Sequence, residues 1–187
     1  MAYRPIDRIW TASDAASGVV SLNMLKDQMY IEPDVTEQDG LITSYGDAAV
    51  ASVEKSTLRL LSSRECTLSL RKLPSGKCPI ELPGGMVSSL ISVFVDGVEF
   101  TGCTAIGHSP ALLIPSEDWP EVVGDGYPVT ITYVAGYSIV PADLIHSVLM
   151  IAAELEQRRT EGFEGALTQA LISAEYLMKT YRIMPIR

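Results

Sequence analysis

The spacing of apolar residues changes period twice along this chain, and those two changes constrain its fold more than any other feature. From residue 21 to residue 60 apolar residues recur at helical spacing. Leu22, Leu25 and Met29 form a short stripe; Ile42, Tyr45, Ala49 and Val53 form a longer one, with Leu60 further along. Ser21 reads as the N-cap of a first helix that runs to about Ile31 and is stopped by Pro33. Residues 34–36 offer a cap for the second helix. Gly46 inside it costs about 1 kcal/mol against alanine, or marks a close approach of another helix.

From about Glu65 the period falls to two. Thr67 to Leu70 alternates, and Leu90–Val95 and Val98–Phe100 flank Asp96-Gly97. Asp-Gly between two apolar runs predicts a two-residue hairpin turn, because both turn positions need positive φ. Residues 111–114 and 129–134 read as further strands, and most of the prolines fall between Pro74 and Pro141. Helical spacing then returns. Pro141 suits the first position of a third helix, with Asp143 facing the positive end of its dipole and Leu144, Val148, Ile151 and Leu155 on its stripe. Arg158 and Arg159 lie near its C-terminal end; Gly162 and Gly165 break it. A last helix carries Leu167, Leu171, Ala174 and Leu177, and a polar-basic tail closes the chain.

This order predicts an α+β fold: a four-helix bundle-like body (residues 21–64 and 141–181) with a β-rich insert (65–140), an N-terminal arm (1–20) and an extended C-terminal tail (182–187). The helices close one bundle only if the ends of the insert lie close together, so a single domain of 187 residues is expected.

Composition restricts function. Apolar residues make up 47% and charged residues 20%, as in ordinary globular proteins. No apolar run approaches the ~18–20 residues of a membrane helix, and the first ten residues hold no apolar stretch of signal-peptide length, so assembly in a cytoplasm and no membrane partner are expected. Cys66, Cys78 and Cys103 are odd in number and form no C-x-x-C pair, which argues for free thiols and against a disulfide framework or zinc site. The net charge of −9 opposes tight binding to nucleic acid, which needs cationic side chains against phosphate. Residues 65–140 hold eight acids against three bases, whereas Lys179, Arg182 and Arg187 follow the last acid, Glu175. A basic tail beside an acidic body either docks on something acidic or is simply solvated.

Catalytic signals are weak. Gly107-His108-Ser109-Pro110-Ala111 half resembles a nucleophile elbow, but Pro110 has no backbone N–H to serve an oxyanion hole, and Ala111 replaces the last glycine. Asp143 and His146 share a helix face without a metal-ligand set around them. Gly84-Gly85 lacks the lysine of a phosphate loop. Glu154/Glu156 and Glu161/Glu164 read as solvated helix faces. Trp119-Pro120 is a loop aromatic suited to a core or an interface. No cofactor, metal or enzymatic activity is expected.

Four segments resemble the tailed-phage head–tail connector (adaptor) family. They are Ser21-Leu-Asn-Met-Leu-Lys-Asp-Gln-Met-Tyr-Ile31; Ile80-Glu-Leu-Pro83 with Val87-Ser-Ser-Leu-Ile-Ser-Val93; Val129-Thr-Ile-Thr-Tyr-Val-Ala-Gly-Tyr137 followed by Val140-Pro141; and Tyr181-Arg182 at the end of the last helix. Together they span about residues 20–182, and the A-G-Y turn before a proline-started helix is the most specific. Gly84-Gly85-Met86, the third helix's lack of an aromatic-rich end and the first twenty residues depart from the pattern.

The resemblance implies a structural ring, of twelve copies, beneath a portal protein. It would extend the channel for double-stranded DNA, which passes without specific binding, and would dock a stopper or tail protein. The portal-docking tail would be Tyr181, Arg182, Ile183, Met184, Pro185, Ile186 and Arg187. Phe94, Phe100 and Trp119 are candidates for contacts with neighbouring copies or the tail side. Another virion ring component, a stopper or tail-completion protein, is the alternative, and a small hydrolase using Ser109 or His146 is the least favoured. The location implied is the virion head–tail interface.

Overall fold

The computed structural model describes residues 7–13, 18–107, 110–158 and 169–183. It divides into two compact units, Met1–Asp14 with Ser63–Tyr137 and Ala15–Ser62 with Ser138–Arg187.

The first unit is built from strands β1 (Arg8–Ala12), β2 (Arg64–Leu70), β3 (Ile80–Leu82), β4 (Val87–Val95), β5 (Val98–Glu99), β6 (Cys103–Ile106), β7 (Ala111–Pro115) and β8 (Val129–Ala135). They form a five-stranded sheet in the order β1-β2-β8-β4-β5 and a three-stranded sheet in the order β3-β7-β6, both antiparallel. Alternation decides which side chains are buried. Cys66, Leu68 and Leu70 of β2 and Val129, Ile131, Tyr133 and Ala135 of β8 are fully buried, while Thr67, Ser69, Thr130 and Thr132 between them keep access to water. Ile80, Leu82, Ala111 and Leu113 of the smaller sheet are buried as well. Tyr133 ties the two sheets together: its hydroxyl donates to the Pro83 carbonyl (3.0 Å) and accepts from Trp10 Nε1 (2.9 Å). Burial pushes the Tyr133 phenol well above its ordinary value; the buried Cys66 beside it adds to the rise, and the Trp10 bond and Arg8 offset part of it.

The second unit holds helices α1 (Leu22–Gln28), α2 (Asp39–Thr57), α3 (Ala142–Arg158) and α4 (Gln169–Lys179). Ser21 caps α1 as expected, accepting from the Met24 N–H at 3.2 Å. The expected stripes are buried at Ile42, Ala49 and Val53 on α2 and at Leu144, Val148 and Ile151 on α3. Gly46 is where α1 meets α2: a Cβ there would lie 2.7 Å from Leu25 Cδ1. The helix thus accepts glycine's propensity cost in return for this close approach.

The expected fold class is corrected. The body is not a four-helix bundle with a β-rich insert; among the described residues strands outnumber helices, and the strands make two antiparallel sheets. Two physical reasons account for this. The period-two segment carries enough inward apolar residues to build its own core, and it recruits Arg8–Ala12 from the expected arm as edge strand β1. Helix α1, at seven residues, is too short to form a full bundle element. Glu154 also departs from expectation: it is buried and ion-paired with Arg158 at 2.7 Å.

Candidate interaction surfaces

The candidate docking tail begins as part of the helical unit. After α2, Leu58 takes a left-handed conformation (φ 58°), which costs a non-glycine residue about 1–2 kcal/mol. Beyond that turn Arg59 donates through Nε to the Tyr181 carbonyl. Arg182 Nε donates to the Ser56 carbonyl (2.8 Å), and the Ile183 N–H donates to the Thr57 carbonyl (3.0 Å). These are carbonyls at the C-terminal end of α2, which have no partner within the helix. The Tyr181 hydroxyl reaches Asp143 Oδ2 at 3.1 Å, and Ile183 is buried. Tyr181, Arg182 and Ile183 are therefore engaged by their own unit. Met184, Pro185, Ile186 and Arg187 lie outside the described residues.

In the β unit the Asp96-Gly97 turn has the predicted positive φ values, 51° and 78°. Asp96 does more than turn the chain. Its carboxylate accepts the N–H groups of Val123 and Gly124, both at 2.9 Å, latching the hairpin tip to the loop after Trp119. Gly124 is required there, because a Cβ would sit 2.4 Å from Asp96 Oδ1 and 3.1 Å from Pro128 Cβ. Gly124→Ala is expected to open this latch. Hydrogen–deuterium exchange over residues 121–127 should quicken roughly ten-fold, the equivalent of about one charge-assisted hydrogen bond. Asp96→Ala should do the same, and the double variant no more. Exchange unchanged in both single variants would show that the loop is held by other contacts.

The three aromatic candidates separate. Phe94 on β4 is 38% exposed, next to a shallow recess of about 620 Å³ lined by Val123, Tyr127 and Thr130 among others. Phe100 is half-buried and meets Trp119 with ring centroids 5.6 Å apart. Trp119 is buried, and its Nε1 donates to the Cys78 carbonyl at 2.8 Å, so it is an internal anchor of the β unit. The latch was not legible in the sequence as a contact; the only signal was an Asp that could accept while turning.

His108 and Ser109 lie outside the described residues. His146 is exposed on α3, and its expected neighbour Asp143 is bonded to Tyr181 instead. Among the described residues no cluster of His, Cys, Asp or Glu could hold a metal, and no helix is long and apolar enough to cross a membrane. Cys66, Cys78 and Cys103 are in no disulfide, and burial pushes the Cys103 thiol up.

The sequence matches no protein-family model and no curated protein. Solved structures do match. A chain in the neck of an empty gene transfer agent particle, computed with C6 symmetry, superposes with a TM-score of 0.79 at 22% identity, covering 96% of this chain and 97% of that one. The fold is that of a gene transfer agent neck protein. A chain of the native gene transfer agent virion gives 0.78 at 23% identity, and one in the native neck, computed with C12 symmetry, gives 0.76 at 20%, each with the same coverage. The neck fold thus takes in both units of the chain, and it agrees with the connector resemblance carried by residues 20–182.

Proposed function

We propose that this chain is a structural component of a virion neck. It acts as a head–tail connector: copies form a ring under the portal, extend the DNA channel and present a platform for the stopper or tail. The observation that carries this reading is the match of the neck fold over 96% of the chain. A match over 96% of the chain takes in both units.

Charge supports the passage of DNA. Glu117, Asp118, Glu121 and Asp125 are exposed on one loop of the β unit, and the chain carries a net charge of −9. An acidic wall repels phosphate, so a duplex slides past without adhering. The portal hook falls to the residues beyond Ile183, since Arg182 and Ile183 are held on α2 and Tyr181 by Arg59 and Asp143.

Mixing the chain with its portal protein and imaging the product by negative stain tests the reading. A ring stacked on the portal is the expected result; a portal without added density overturns it. A chain lacking residues 184–187 should keep its fold, because Ile183 and its bond to Thr57 remain, and should no longer attach. Normal attachment by that truncation removes the hook assignment.

A further inference from the structure

Three Asp-Gly dipeptides occur in this chain: Asp39-Gly40, Asp96-Gly97 and Asp125-Gly126. They share one intrinsic chemistry. The amide nitrogen of the glycine can attack Cγ of the aspartate before it, and glycine has no Cβ to block the approach. The attack is intramolecular, so local geometry governs its rate. On sequence alone the three are equivalent; their surroundings differ.

Asp39 opens α2, so its peptide bond to Gly40 lies in the first turn of a helix of 19 residues. Its Oδ1 is 2.6 Å from the Lys26 ammonium. Asp96 is held at the hairpin tip. Its Oδ2 accepts the Val123 N–H and its Oδ1 the Gly124 N–H, both at 2.9 Å, and its own N–H donates to the Pro128 carbonyl at 2.9 Å. Asp125 has no such restraint. It and Gly126 are both exposed in a bend, and among the described residues neither has a hydrogen-bond or ion-pair partner. Gly126 has a φ of 80°, with nothing within 4 Å of where a Cβ would stand.

We propose that Asp125-Gly126 is a site of spontaneous conversion to isoaspartate through a succinimide, and that the Asp96 latch shields Asp96-Gly97 from the same reaction. The Gly126 nitrogen bonds to Cγ of the neutral Asp125 acid. The carboxyl hydroxyl and the amide proton leave together as water, which closes the succinimide ring. Water then adds back. Opening at one carbonyl restores aspartate; opening at the other leaves the main chain running through Cβ as isoaspartate. No oxidant, reductant or co-reactant is needed, and composition and net charge end unchanged. The main chain is longer by a single bond. That bond falls between Gly124, which Asp96 holds, and Tyr127, whose hydroxyl donates to Asp7 Oδ1 at 3.1 Å. The open space beside Gly126 takes up the extra length, so the loop changes shape and keeps its charge.

The test incubates the full-length protein under native conditions and in denaturant, then digests it. Isoaspartyl peptides keep their mass and change their chromatographic retention, so the three Asp-Gly peptides are followed separately. An isoaspartyl methyltransferase with a labelled methyl donor counts the product. In denaturant the three sites should convert at similar rates. In the folded protein Asp125 should convert first, with Asp96 slower by roughly ten-fold or more, the factor for giving up one hydrogen bond to a charged group. Asp39 should also lag. Asp125→Glu should abolish the product in its peptide, because the longer side chain closes a less favourable ring. Gly124→Ala, which opens the latch, should bring Asp96 towards its rate in denaturant. Equal rates at the three sites of the folded protein, or Asp96 or Asp39 converting first, overturn the proposal. A lead of Asp125 that is as large in denaturant assigns the difference to neighbouring residues and overturns it as well. Asp96 converting in Gly124→Ala at its wild-type rate removes the latch as the shield.

Discussion

Tyr133→Ala is expected to remove about 3–5 kcal/mol from the stability of the β unit, the loss typical of truncating a large buried aromatic. Such a loss is a large part of the 5–15 kcal/mol that holds an ordinary domain together. Tyr133 has no exposed surface, and its hydroxyl is the joint between Trp10 on β1 and Pro83 beyond β3. Tyr133→Phe separates the two contributions: the ring stays, the Trp10 N–H and the Pro83 carbonyl lose their partner, and about 1–3 kcal/mol should go. Denaturant midpoints of the three proteins measure both steps. If Tyr133→Phe matched the wild type, water would be replacing the hydroxyl and the joint would carry no energy. The phenol also sets an alkaline limit. Its folded pKa is raised, whereas the unfolded chain ionises at about 10. Stability from this group is therefore complete below about pH 10 and is lost as pH rises above it, by up to about 1.4 kcal/mol per pH unit. The wild type should weaken more steeply than Tyr133→Phe there; parallel curves would mean that another group titrates.

Lys26→Met is expected to cost the helical unit about 3 kcal/mol. Lys26 is 2% exposed, and its ammonium donates to the carbonyls of Val35 (2.8 Å) and Pro33 (3.2 Å). It also lies 2.6 Å from Asp39 Oδ1. That oxygen accepts no hydrogen bond, so the contact is electrostatic, and the directed bonds are those to the two carbonyls. Methionine keeps the stem's volume and removes every one of these interactions at once. Asp39 is 31% exposed, so water recovers part of its share. The Pro33 and Val35 carbonyls lose their donor at the same time. Limited proteolysis between residues 29 and 38, together with the denaturation midpoint, reads the effect. A midpoint within ~0.5 kcal/mol of wild type would show that the loop is held without the lysine.

The same lysine explains why one boundary was not legible. Residues 34–36 had the composition of a helix cap, yet α2 starts at Asp39 with Gln38 before it. The Pro33 and Val35 carbonyls are committed to a side chain seven to nine residues back, which holds the segment in a loop. Strand β1 was hidden for a related reason. Arg8–Ala12 has no apolar alternation of its own and is a strand only because β2, more than fifty residues later, supplies its partners. Strand β6, Cys103–Ile106, is short and weakly apolar, and it depends on β7 in the same way.

What was legible is local. The Asp96-Gly97 turn, the Ser21 cap and the helical stripes follow from backbone geometry within a few residues. The weight given to the β segment is where local reading misled. Period two at residues 67–70 and 129–134 was visible, but two sheets closing on Tyr133 is a statement about pairing across the chain. Register is similarly out of reach: two irregularities in β4, at Val87/Ser89 and Leu90/Ser92, turn Ile91 out to 50% exposure where simple alternation cannot assign it. The candidate tail was legible as a charge pattern only. That its first residues would be spent on α2 carbonyls depended on Leu58, a residue with no turn signature.

That arrangement has a mechanical side. Force applied at the C-terminus does not first peel α4 from its neighbours. It passes through the Ile183 and Arg182 bonds into α2 at Thr57 and Ser56, and through Tyr181 into Arg59 and into α3 at Asp143. Several bonds sheared together resist far better than the same bonds broken one after another. A chain end held at two helices transmits a pull to the body of its unit as a rope does when cleated, not merely tied.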